Sequence, residues 1–334
     1  MSGSKSFWRN RNVLVTGGAG FIGSWLSHDL VSRGARVVVL DIKKRLPYLG
    51  EGQSVLLKKC MFVNGDVRDE SLLRLLFKKH SLQTVFHLAA RAIVPDVLEH
   101  PEESLDTNVR GSWLVLEAFR KWGPKKGQVI VASSDKAYGV HKKLPYREEF
   151  GLNGSGHPYD CSKSCADSIA RMYARVYSVP VCVMRCGNVY GGGDTNFSRL
   201  VPDTVRSLLR NEGVKVRSDG KHKRDFLYIN DAVAAYTCAA EGMHAKKVGN
   251  GEAFNFGNNK PIAVLDIVRL IMRLMKKEHL HPVILSLDRY EIKDQYLDVR
   301  KAKQLLGWKP EYTFAAGIQE TIDWYQDFFK SRRA

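Results

Sequence analysis

Tyr159 and Lys163 stand four residues apart in YDCSK, so in a helix both side chains share one face. An ammonium beside a phenol favours the phenolate. The pair therefore predicts a Tyr159 whose pKa Lys163 lowers and which takes a proton from a hydroxyl. Ser134 closes the apolar run QVIVASS (128–134), where its hydroxyl can hydrogen-bond the same oxygen. A lone YxxxK arises by chance, and the preceding VASSDKAYG makes the triad of Ser134, Tyr159 and Lys163 the stronger reading. A second constellation is VLVTGGAGFIGSWL, with Gly17, Gly20 and Gly23 directly after a strand-like run. Glycines there permit a tight turn and close approach of a pyrophosphate to a helix N-terminus, which predicts a bound dinucleotide. Asp41 lies 18 residues beyond Gly23. An acid at that point accepts from ribose hydroxyls and repels a 2′-phosphate, which selects NAD over NADP. Asp66, in NGDVRD, is placed to accept from the adenine amino group, while its neighbour Asp69 equally fits a helix N-cap.

These residues need a scaffold that delivers them to one edge. Short Val- and Ile-rich runs alternate with helical patterns: strands at 12–16, 36–41, within 60–66, at 84–90, 128–134 and 180–185. Helices are expected to about Arg33, over 69–80 and 102–122, and from Pro158. Runs apolar on both faces mark buried parallel strands, so the fold class is α/β, a Rossmann-type doubly wound parallel sheet. Beyond Asn188 the texture changes to helices near 198–212, 230–243 and 263–277 with a short strand in DFLYI. The division expected is a cofactor domain over 1–187 and a smaller α/β substrate lobe over 188–334, with the chain crossing between them.

The motifs TGGAGFIG, GDVRD, HLAA, SSDKAYG, YxxxK, MRCGNVYG and LGWKP, in this order and spacing, resemble the extended short-chain dehydrogenase/reductase family from about residue 8 to 328. The resemblance implies NAD held by Gly17, Gly20, Phe21, Ile22, Gly23, Asp41, Asp66, Val67, Leu88, Ala89 and Ala90 together with Tyr159 and Lys163. It implies a nucleotide-diphosphate hexose as substrate, with Asn188, Arg199 and Arg224 on the diphosphate. Asp298, in YLDVRKAK, is assigned to the ribose or, equally, to a helix cap. It also implies a homodimer pairing helices 102–122 and 158–177 in a four-helix bundle, with WLVLEAF (113–119) as the apolar face. Ser134-Asp135-Lys136, the SFW opening and GNVYGGGD…RLVPD are similar to the CDP-glucose 4,6-dehydratases, whose Asp and Lys serve as acid and base. In that reading an NDP-hexose becomes an NDP-4-keto-6-deoxyhexose by transient hydride transfer to NAD. Asp⁻/Lys⁺ and AspH/Lys⁰ hold the same number of protons, so a dry pair can shift between them without solvent. Thr195 stands after GGGD where the CDP-glucose enzymes have tryptophan, and RDFLY (224–228) leans toward nucleotide-sugar 4-epimerases, which do not need Asp135 and Lys136.

The remaining composition bounds the alternatives. The opening MSGSKSFWRN lacks an apolar signal core and no apolar run reaches membrane-span length, predicting a cytoplasmic protein without membrane contact. Of six cysteines, four form two CxxxC pairs with no partner set for zinc, so no metal is expected and the thiols read as reduced and mostly buried. A net charge of +17 raises an inactive RNA-binding Rossmann protein as a distant reading. The basic residues are scattered, as in KWGPKK and KSRRA, and an intact triad argues against nucleic acid.

Overall fold

The computed structural model describes residues 4–43, 49–50, 54–55, 57–287 and 292–331; the first three residues and the last three of KSRRA lie outside them. Short helix α1 (Ser4–Trp8) leads into strand β1 (Asn12–Thr16), whose glycine turn starts α2 (Phe21–Ser32). Then come β2 (Arg36–Asp41), β3 (Met61–Asn64), α3 (Glu70–His80) and β4 (Thr84–His87). Helices α4 (Val94–Glu99), α5 (Pro101–Leu105) and α6 (Gly111–Trp122) precede β5 (Gln128–Ser134), α7 (Pro158–Tyr177) and β6 (Val181–Cys186). The second half holds the small strands β7 (Asn188–Tyr190), β8 (Lys215–Val216), β9 (Lys223–Arg224) and β10 (Phe226–Tyr228), with α8 (Leu200–Leu209) among them. It continues with α9 (Ile229–His244), β11 (Glu252–Phe256), β12 (Ile262–Ala263), α10 (Val264–Leu274), β13 (Val283–Ile284), β14 (Asp294–Gln295) and α11 (Phe314–Lys330).

The main sheet is parallel throughout, in the order β11-β6-β5-β4-β1-β2-β3. Alternate residues of each strand feed two cores. Val13 and Val15 point to the layer that includes Trp8, Leu26 and Tyr236, whereas Leu14 points to the one holding Leu73, Phe77 and Phe119. Strand order reverses between β1 and β4, which opens the crevice where doubly wound sheets bind ligands.

The structure departs from the sequence reading at three places. The expected 84–90 strand stops at His87, because Leu88 and Ala89 turn to donate to the Thr16 carbonyl (3.1 Å) and hydroxyl (3.3 Å). The expected 102–122 helix is α5 and α6 joined by a wide π turn over Asp106–Arg110. The third is β11, a seventh sheet strand that EAFNF does not announce. Its buried Asn255 breaks the apolar pattern, yet Tyr138 donates to Asn255 Oδ1 (2.7 Å) and Asn255 Nδ2 donates to the Tyr146 carbonyl (2.9 Å). The chain thus returns to the cofactor sheet after residue 188. No helix among the described residues is long and apolar enough to cross a membrane.

Candidate active site

Every expected cofactor residue lies at the carboxyl edge of the sheet. Gly17 has φ +66°, and a Cβ there would meet the Ala89 backbone at 2.8 Å; a Cβ on Gly23 would meet the Gly17 carbonyl oxygen at 2.3 Å. The turn therefore admits nothing larger, and it presents the first turn of α2, with Phe21 and Ile22, to the crevice. Asp41 closes β2 and accepts from the Ala19 amide (2.9 Å) and the Lys43 amide (2.9 Å), which fixes its carboxylate beside the glycine turn. Leu88, Ala89 and Ala90 form the facing wall after β4. This cradle fits a dinucleotide. Beyond it, Asp69 caps α3 through the Leu72 amide (3.0 Å). Asp66 is held by Arg68 (2.6 Å), which also reaches Asp106 (2.7 Å), while Val67 is buried behind them. Arg68 holds the Asp66 carboxyl below its ordinary range.

The catalytic candidates converge from β5 and α7. Pro158 fixes the first turn of α7, and the His157 side chain caps it by accepting from the Tyr159 amide (3.1 Å). Lys163 is buried and donates to the Ala132 carbonyl (3.0 Å), so its ammonium is aimed along β5 toward Ser134. Burial brings Lys163 down to about 8. Its nitrogen lies 6.0 Å from the centroid of the Tyr159 ring. The expected depression of the phenol is reversed here. Burial pushes Tyr159 up to about 12, and Arg199 is the largest opposing cation.

Asp135 and Lys136 begin a tight 3-10 turn, Asp135–Tyr138, directly after Ser134. They are no surface pair. Asp135 is 2% exposed; Oδ1 accepts from the Ser134 hydroxyl (3.0 Å), and Oδ2 is buried without a hydrogen-bond partner. Burial pushes the Asp135 carboxyl up, against the pull of Lys136. The Lys136 ammonium donates to Gln295 Oε1. Two further groups in this cluster escaped the sequence reading. Asp160, inside YDCSK, is pushed up to about 6 by burial, with Lys136 opposing and Asp135 reinforcing. Buried Tyr146 donates to the Gly139 carbonyl (2.6 Å). A polar residue inside a recognised motif was the available signal for Asp160; nothing local marks Gln295 or Tyr146.

Beside this cluster lies a cavity of about 180 Å³ whose walls include Asn188, Arg199, Lys215, Arg217, Ser218 and Arg224. Four cations make it a site for an anion. Arg224 is buried and braced by the Lys223 (3.0 Å) and Lys293 (2.6 Å) carbonyls; Arg199 is paired with Asp194 (3.0 Å). The cavity adjoins the catalytic cluster, since Arg224 and Arg199 are close enough to act on Asp135 and Tyr159 respectively. Asp298 is not on its wall. It accepts from the Arg300 amide (3.0 Å) and side chain (2.5 Å), and Arg300 holds its carboxyl below the ordinary range. All six cysteines are free, two buried and four half-buried. Among the described residues no three metal-ligating side chains gather.

Residues 14–321 match the family described as GDP-mannose 4,6 dehydratase. The chain is 32% identical to a dTDP-glucose 4,6-dehydratase of Xanthomonas campestris pv. campestris, over 93% of this chain and 92% of that one. Among solved structures, a UDP-glucose 4-epimerase of Thermotoga maritima with UDP-glucose superposes with a TM-score of 0.86 at 30% identity, covering 95% and 99% of the two chains. A dTDP-glucose 4,6-dehydratase of Streptomyces venezuelae with NAD bound gives 0.84 at 26% identity, covering 95% and 97%.

Proposed function

Because the chain belongs to the GDP-mannose 4,6 dehydratase family, we propose that it is an NAD-dependent nucleotide-sugar 4,6-dehydratase that forms an NDP-4-keto-6-deoxyhexose. The observation that carries this reading is the placement of buried Asp135 and half-buried Lys136 beside Ser134, Tyr159 and the cationic cavity. A 4-epimerase, represented among the structural neighbours, has no use for an acid and a base at that turn.

The glycine turn and Asp41 would hold NAD, which would supply a hydride acceptor for C4 of the sugar and a hydride donor for C6. The chain's own residues handle protons. Ser134 and Tyr159 hydrogen-bond the 4-hydroxyl, and Tyr159 takes its proton as the phenolate, a form that its burial opposes and that the Arg199 cation favours. The C4 ketone acidifies the C5 hydrogen, which Lys136 removes in its neutral form. Asp135, protonated as its burial favours, gives a proton to the C6 hydroxyl, which leaves as water, and a proton returns to C5 as C6 receives the hydride. Asn188, Arg199 and Arg224 hold the diphosphate. The test is incubation with a panel of nucleotide sugars and mass detection of product. Loss of water supports the dehydratase; an isobaric product with inverted C4 supports the epimerase.

Two outcomes follow for the purified protein. Extraction of its bound cofactor should release NAD, since the Asp41 carboxylate opposes a 2′-phosphate; mainly NADP would contradict the assignment. It should also sediment as a homodimer through the outer faces of α6 and α7. Most of WLVLEAF packs within the subunit, but Trp113, Met172, Val176 and Tyr177 are exposed there. A monomer at micromolar concentration would contradict the dimer.

A further inference from the structure

The Lys136 ammonium donates to Gln295, a residue that comes from a strand far away in sequence. It is fully buried on β14, in parallel register with Arg224 of β9. Its strand is fixed from both sides. The Asp225 amide donates to the Gln295 carbonyl (3.1 Å), the Leu297 amide donates to Asp225 Oδ2 (3.2 Å), and Arg224 donates to the Lys293 carbonyl (2.6 Å). Gln295 Nε2 and Asp135 Oδ2 are both buried without hydrogen-bond partners in the same cluster.

We propose that Gln295 is a positioning residue that holds the Lys136 amine at the C5 hydrogen and ties that placement to the strand bearing the diphosphate-facing Arg224. This rests on the dehydratase reading above. The chemistry of the side chain supports the role. An amide oxygen accepts from an ammonium or from a neutral amine, so Gln295 fixes Lys136 without opposing the loss of its proton. A carboxylate in the same place favours the ammonium and disables the base. Side chains trade little entropy at a buried, strand-borne acceptor, which is where a base must be held to within a fraction of an ångström.

The test uses the NAD-loaded protein with the nucleotide sugar that the native enzyme dehydrates. Gln295→Met keeps the volume and removes the acceptor. Its kcat should fall about a hundredfold, the scale of a small misplacement of a reacting group. KM and melting temperature should stay near native, NADH should accumulate, and deuterium uptake at C5 should slow in parallel. Gln295→Glu should be slow at neutral pH and recover at a higher pH than the native enzyme. The charged and titratable groups of the cluster around Lys136 and Gln295 include Asp135 of the turn after β5, Tyr146, His157 and Asp160 at the start of α7, and Arg224 and Asp225 of β9 and its end. Unimpaired kcat in Gln295→Met overturns the proposal. So does loss of the first hydride transfer in step with turnover, which marks a purely structural residue. A native product with intact C6 hydroxyl and inverted C4 removes the dehydratase reading and the proposal with it, an outcome distinct from native dehydration that Gln295→Met does not affect.

Discussion

A Lys136→Ala enzyme is expected to reduce its NAD on meeting substrate and then stall. The first hydride transfer needs Ser134, Tyr159 and Lys163, none of which depends on Lys136 for a hydrogen bond through its side chain. NADH absorbance should therefore appear while C5 keeps its proton and no water leaves. Turnover should drop about 10²–10⁴-fold, as when a general acid or base is removed. Tyr159→Phe should lose a similar factor in a different manner: with no acceptor for the 4-hydroxyl proton, no NADH accumulates. Solvent deuterium should enter C5 of the native product. Near-normal dehydration by Lys136→Ala defeats the assignment of the base.

The second large effect is on stability. Asp167 of α7 and Arg185 of β6 form a bidentate pair (2.8 and 2.9 Å) with both side chains fully buried. Arg185 also donates to the Tyr138 hydroxyl (2.8 Å) and the Glu148 carbonyl (3.2 Å). The pair pins the helix carrying Tyr159 and Lys163 to the sheet and to the turn carrying Asp135 and Lys136. Asp167→Ala leaves an uncompensated guanidinium in the core and should cost about 3–5 kcal/mol in denaturant unfolding. Replacing both partners by apolar residues, Asp167→Leu with Arg185→Met, should recover most of that loss. A single mutant as stable as the native protein would show that the buried charge is not costly here.

The sheet, the glycine turn and the triad were legible because each leaves a local trace: Val-rich runs such as RVVVLD, glycines at a strand end, and an i, i+4 pair after Pro158. Residues whose meaning depends on distant partners were not. Arg185 sits in the apolar run PVCVMR and reads as a strand end, but its partner Asp167 lies on the neighbouring helix. EAFNF carries no clear strand signal because Glu252 and Asn255 interrupt it; hydrogen bonds from Tyr138 and to the Tyr146 and Asp298 carbonyls make a buried asparagine acceptable. For Tyr159, spacing shows the cationic neighbour Lys163 but not the burial that pushes the phenol up. Gln295 reaches Lys136 across 159 residues of chain, a contact with no local signature.

The late arrival of β11 also orders events during synthesis. Six of the seven strands of the cofactor sheet have been made by Cys186, but the strand that covers β6 spans Glu252–Phe256. Until then the nascent chain carries an open β6 edge with unpaired backbone groups, the kind of edge that recruits foreign strands. The Tyr138 hydroxyl likewise waits for Asn255. The ribosome must therefore deliver residues 187–256 before the main sheet can gain its last strand, and that interval is when a chaperone has most to protect.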